Sequence, residues 1–183
     1  MVTTHWQHLQ KGQLCPRPSK AKLKRLSCPA KNQAYISLVR PILEYSCTIW
    51  DPHLQCDIDK LEKVQRRAAR FVCNDYDRHS SVSTMLAQLN WATLQERRKH
   101  HRLTFLHKIF NNKVAVPADL FTINQRPQRH AHHLHLKHEA CNTNAYKFSF
   151  VPRTILDWNS LTDSVVASTS TEQFKSALER NVD

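Results

Sequence analysis

Glycine is almost missing from this chain. Gly12 is the only one in 183 residues, where average usage of about 7% would give on the order of a dozen. A Walker phosphate loop and a GxGxxG dinucleotide turn both need several glycines so that backbone can approach phosphate, so nucleotide hydrolysis and Rossmann-type redox chemistry are excluded. The six cysteines, Cys15, Cys28, Cys47, Cys56, Cys73 and Cys141, include no CxxC pair. No apolar run approaches the ~18 residues of a membrane span, and MVTTHWQHLQKGQ lacks the apolar centre of a signal peptide. Reduced thiols in cytoplasm or nucleus, and no membrane partner, are therefore expected. A glycine-poor chain of this length also favours a single helical domain with tails.

Acidic residues are scarce at the front. Met1 to Leu43 holds eight Lys or Arg and no acid, whereas Ile155 to Asp183 holds two basic and five acidic residues. The net charge is +12, from 27 basic and 15 acidic residues, which suits a polyanionic partner.

What is present is mostly helical periodicity. Residues 1–31 form a basic lead-in with little periodic apolar content; its KAKLKR run reads as a solvated tail before it reads as a nuclear import signal. From Asn32, the residues Ala34, Leu38, Ile42 and Tyr45 share one side, and Pro41 kinks that helix or starts another. The stretch DKLEKVQRRAARFV (59–72) belongs to a helix over about 57–73. At 100° per residue Ile58, Leu61, Val64, Ala68, Phe71 and Val72 fall in one arc, and Lys60, Lys63, Arg66, Arg67 and Arg70 roughly opposite. Asp59 with Lys63 and Glu62 with Arg66 have ion-pair spacing.

NDYDRHSS then reads as a turn whose serines cap the short helix SVSTMLAQLNW. Thr93 and Glu96 make a capping box that opens a longer helix to about Asn111, with Leu103, Leu106, Ile109 and Phe110 for packing. Near its start lie Arg97, Arg98, Lys99 and Arg102. Cations in a first turn oppose the helix dipole, so helix stability does not explain them. Val114 to Thr143 reads as loop. YKFSF (146–150) alternates like a short strand or extended arm, RTILDWNSL suits a short helix or turn, and Thr169 with Glu172 cap a terminal helix.

Few residues are arranged for chemistry. His130, His132, His133, His135 and His138 crowd ahead of Cys141, but no second ligand pair stands at a familiar zinc spacing. Asp75 and Asp77 read as acceptors for turn backbone rather than as cation ligands. No nucleophile elbow, HExxH helix or kinase signature occurs. Trp6, Trp50, Trp91 and Trp158 read as packing anchors rather than base-stacking platforms. No catalytic residue, metal or cofactor is assigned.

Several phrases carry a family resemblance. AYISLVRPILEYSCTIWDP (34–52), DIDKLEKVQRRAARFV (57–72), SSVSTMLAQLNWATLQERR (80–98), RLTFLHKIF (102–110) and AYKFSFVPRTILDWNSL (145–161) resemble, in the same order, the C-terminal region of non-LTR, LINE-type (jockey-like) retrotransposon reverse transcriptases. In that family the region follows the polymerase palm and forms the helical thumb and what lies beyond it. The family's catalytic aromatic-Ala-Asp-Asp motif is absent, and Asp75-Tyr76-Asp77 neither matches it nor takes its place. The resemblance therefore implies a truncated, non-enzymatic fragment of an RNA-directed DNA polymerase.

Taken together these readings predict a mainly α fold, a small thumb-like helical bundle with a loop-rich C-terminal part and at most one short strand. The expected parts are a basic lead-in (1–31), a helical thumb-like domain (32–112), a His/Arg-rich loop region (113–145) and a C-terminal arm with a terminal helix (146–183). The expected partner is the backbone of an RNA–DNA or DNA duplex, gripped without regard to sequence by Lys60, Lys63, Arg66, Arg67 and Arg70 and by Arg97, Arg98, Lys99 and Arg102. Two alternatives stand beside it, a module docking onto a reverse transcriptase core and a mobile-element remnant without function.

Overall fold

The computed structural model of the chain describes residues 26–117, 120–125 and 132–180. The KAKLKR run, Trp6, Cys15 and His130 lie outside them. Among the described residues the chain is mainly helical. The short helix α1 (Cys28–Ala34) runs through a π-turn, Tyr35–Val39, into α2 (Arg40–Glu44). Pro41 is the second residue of α2, and because the chain is already helical before it, its missing N–H interrupts the backbone ladder where the π-turn passes into α2. There follow α3 (Cys47–Trp50), α4 (Gln55–Cys73), α5 (Val82–Gln88) and α6 (Leu94–Phe110). The C-terminal part holds α7 (Asn144–Lys147), α8 (Phe150–Asn159), α9 (Asp163–Val166) and α10 (Thr171–Arg180).

Scarce glycine leaves the helix ends to asparagine. Asn74, Asn90 and Asn112 adopt positive φ of 54°, 53° and 52° just after α4, α5 and α6, the left-handed position that glycine usually fills and asparagine tolerates. Ser46, at 51°, turns the chain between α2 and α3. The expected caps form at two helices. Ser81 Oγ accepts from Thr84 N, and Thr93 and Glu96 close a reciprocal capping box at α6. At α10 the capping residue is Ser170 rather than Thr169: its Oγ accepts from Gln173 N at 3.1 Å, and Thr169 instead reaches the Gln173 side chain.

Two apolar clusters hold these helices. In the smaller, Tyr35 stacks on Trp91 with ring centroids 4.2 Å apart, over Ala69, Val72 and Met85 of α4 and α5. In the larger, Leu103, Leu106 and Ile109 of α6 pack on Ile155 and Trp158 of α8, Val165 and Val166 of α9, and Phe174 and Leu178 of α10. Each such buried side chain contributes roughly 1.5–3 kcal/mol. Helix α6 thus joins the parts that the sequence reading divides at residue 112.

The segment expected as plain loop supplies core as well. Phe121 and Leu136 are buried in the larger cluster, and an isolated antiparallel bridge pairs Ile123 with Leu136. Asn159 clamps Leu136 from both sides, its Oδ1 accepting from the backbone N–H at 2.9 Å and its Nδ2 donating to the carbonyl at 2.8 Å. Trp158 Nε1 donates to Leu134 O at 3.0 Å, and buried His132 donates from Nε2 to Trp158 O at 3.0 Å. These bonds fasten the His-rich segment onto α8.

Two expectations about secondary structure need correction. YKFSF is no strand: α7 and α8 meet there. Thr143 Oγ1 accepts from Tyr146 N to start α7, Ser149 is the extended residue before α8, and Phe148 stacks on His53 at 4.2 Å. The inward face of α4 is also centred differently. Ile58, Glu62, Gln65, Ala69 and Val72 are buried, whereas Val64 is exposed. Two polar residues face inward because each finds a partner. Gln65 accepts from the Tyr35 hydroxyl at 3.0 Å and donates to Ala92 O at 2.8 Å, and Glu62 accepts from Gln95 N at the start of α6 at 3.0 Å. The expected pairs of Asp59 with Lys63 and Glu62 with Arg66 give way to Gln55 with Asp59 and Asp57 with Lys60.

Candidate nucleic-acid interface

The nine candidate basic residues divide into two groups with different surroundings. On the outer face of α4, Lys60, Lys63, Arg66 and Arg67 are exposed. Lys60 pairs with Asp57 at 2.8 Å, while Lys63, Arg66 and Arg67 have no ion-pair partner among the described residues. They rise from a helix seated by Ile58, Ala69 and Val72, buried on its opposite side. Arg70 belongs to the fold instead. Its Nη1 donates to Asp77 O at 2.6 Å and its Nη2 to Ser80 O at 3.3 Å, closing the turn after α4.

That turn also employs the two aspartates. Asp75 Oδ1 accepts from Asp77 N at 3.0 Å and Asp77 Oδ1 from His79 N at 3.1 Å, as local turn acceptors do.

In the second basic group, on α6, Arg98 and Arg102 point into the protein and Arg97 and Lys99 are partly exposed. Arg98 is fully buried and donates from Nε to Asp51 Oδ1 at 2.7 Å. Arg102, also buried, pairs through Nη1 with the other oxygen of Asp51 and donates from Nη2 to Asp157 Oδ2 at 2.6 Å. Lys99 lies 3.6 Å from Asp157, and Arg97 is held in a fork by both oxygens of Glu44. These contacts correct the expectation of a second exposed basic face and explain why cations tolerate the start of α6: carboxylates from α2, the α3 end and α8 neutralise them. Arg98 and Arg102 in particular are not presented to a duplex.

Sequence reasoning missed the acids and one further cation of this network. Asp51 receives a third guanidinium, Arg153 of α8, at 3.1 Å; the same Nη1 donates to the carbonyls of Asp51 and Pro52 at 3.2 and 3.4 Å. The only signal available beforehand was the misfit between the basic first turns of α6 and its dipole. Burial pulls Arg98, Arg102 and Arg153 below the ordinary arginine value, but guanidinium stays charged at neutral pH. Burial would also raise Glu44; hydrogen bonds from His101 and Arg97, with the Arg97 charge, outweigh it and hold the pKa at about 2.

Among the described residues no group of three or more His, Cys, Asp or Glu side chains could hold a metal ion, and no helix is long and apolar enough to cross a membrane. His132 is committed to Trp158 O, and His133 to Asp163 at 2.7 Å. No protein-family model matches the chain, and no curated protein or solved structure matches it.

Proposed function

We propose that this chain is a non-catalytic helical fragment of a non-LTR retrotransposon RNA-directed DNA polymerase, one that binds the backbone of an RNA–DNA or DNA duplex without regard to sequence. The observation that carries the reading is the row Lys63, Arg66 and Arg67 beside Lys60 on α4, exposed and largely unneutralised in a protein of net charge +12. The face accounts for the binding without any catalytic residue or cofactor. The test is a salt titration of affinity for an RNA–DNA duplex. Each phosphate contact contributes about 0.9 to the slope of log affinity against log salt. Replacing Lys63, Arg66 and Arg67 by Gln flattens that slope by roughly two to three. A slope unmoved by the triple substitution overturns the assignment.

A second reading, docking onto a polymerase core, is favoured by a different observation. Leu38, Ile42, Tyr45 and Ile49 on the π-turn, α2, the following turn and α3 are 66%, 65%, 77% and 85% exposed, an apolar row of the kind that marks an interaction surface. Duplex binding lost at low salt together with capture of a supplied polymerase core supports docking instead.

A further inference from the structure

We infer that the pocket between α6 and α8 is an oxyanion site that takes a phosphate group on Lys99, Arg102 and Arg153. It is a cavity of about 520 Å³ lined by these three cations with Thr93, Glu96 and Asp157, large enough for a phosphate with an attached organic group. The lining cations carry the argument. Lys99, Arg102 and Arg153 converge on the cavity, and Asp157 and Glu96 are the carboxylates beside them. Glu96 is already engaged by the Thr93 hydroxyl and backbone N–H. On the lining itself positive groups outnumber negative ones, around an Arg102 side chain only 3% exposed.

The hydrogen-bond inventory adds to this. Arg102 Nε is buried without an acceptor among the described residues, on a side chain 3% exposed. Arg153 spends only Nη1 on the Asp51-Pro52 turn and Asp51, which leaves its other nitrogens without an acceptor among the described residues, beside the pocket it lines. A phosphate supplies several acceptors, and guanidinium forks with an ammonium are the groups that match it. The Asp157 and Glu96 carboxylates limit the charge a ligand can carry there, which favours a single phosphate group over a polyphosphate.

The site stands independently of the α4 face. Its test is calorimetric titration of the full chain with inorganic phosphate against a chloride control at constant ionic strength. Arg153→Gln weakens binding about tenfold or more, Arg153→Lys less, and Lys99→Gln several-fold. Because Arg153 also holds the turn at Asp51, Lys99→Gln on a half-exposed side chain is the variant that keeps the test decisive if Arg153→Gln fails to fold. No binding beyond the chloride control, or binding indifferent to Lys99→Gln, overturns the site. A 5′-phosphorylated dinucleotide competing better than its unphosphorylated form identifies a terminal phosphate, and equal competition identifies a backbone diester. Failure of both to compete overturns the proposal. Substituting Lys63, Arg66 and Arg67 leaves the phosphate titration unchanged even where duplex binding is lost; phosphate binding lost in that variant places the site on α4 and overturns the pocket.

Discussion

Arg98 and Asp51 meet inside the protein, Nε to Oδ1 at 2.7 Å, with the arginine side chain 0% and the aspartate 5% exposed. Asp51 is also the shared acceptor of Arg102 and Arg153, so one carboxylate ties α6 and α8 to the end of α3. Removing one partner of a buried pair leaves the other uncompensated, and here it would leave Arg98 without its carboxylate partner and Arg102 with Asp157 alone. Asp51→Asn therefore costs about 3–5 kcal/mol in a urea unfolding titration. Lys60→Gln, which breaks the fully solvated pair with Asp57, leaves the unfolding midpoint unmoved. Equal effects for the two variants would show that Asp51 is solvated in the folded chain.

The fork between Arg97 and Glu44 makes stability depend on acid pH. The Glu44 carboxyl ionises at about 2 in the folded protein against an ordinary 4.5. Because the folded value is the lower, its contribution is fully present above about pH 4.5 and is lost as the pH falls toward 2. That shift corresponds to at most about 3 kcal/mol, and water at the partly exposed Arg97 reduces it. Unfolding free energies measured between pH 5 and about 2 should fall more steeply for the natural chain than for Glu44→Gln. Parallel profiles would remove Glu44 from the account.

The range of each interaction decided whether the sequence disclosed it or hid it. Helices α4 and α6, the caps at Ser81 and Thr93 and the packing row Leu103, Leu106 and Ile109 depend on neighbours within a turn or two, and periodicity finds them. The inward turn of Gln65 depends on Tyr35, 30 residues away, and the burial of Arg98 on Asp51, 47 residues away. Patterns of polarity assign such residues to the outside because the partner that makes burial tolerable is invisible locally. The candidate interface was half legible for this reason. Nothing in the spacing of Lys63, Arg66 and Arg67 distinguishes them from Arg98 and Arg102, whose acceptors come from α8 and the end of α3.

The apolar row on α2 and α3 has a local cause. Lys31, Tyr35, Leu38, Ile42, Tyr45 and Ile49 have the alternating spacing of a single helical stripe. Lys31 and Tyr35 are buried at 4% exposure each, yet Leu38 and Ile42 are two-thirds exposed. Between them lies the π-turn, closed by Arg40 N donating to Tyr35 O, five residues back. The extra residue rotates the downstream helix by about 100°, which turns Leu38 and Ile42 away from the core; Tyr45 and Ile49 lie past the end of α2, at the left-handed turn of Ser46 and in α3. Substitutions here should therefore behave as surface changes: Ile42→Ser and Ile49→Ser alter unfolding free energy by about 0.5 kcal/mol or less each. Leu106→Ala, in the larger core, costs about 2–5 kcal/mol. A loss of stability comparable to that of Leu106→Ala would mean that α2 packs inward in solution.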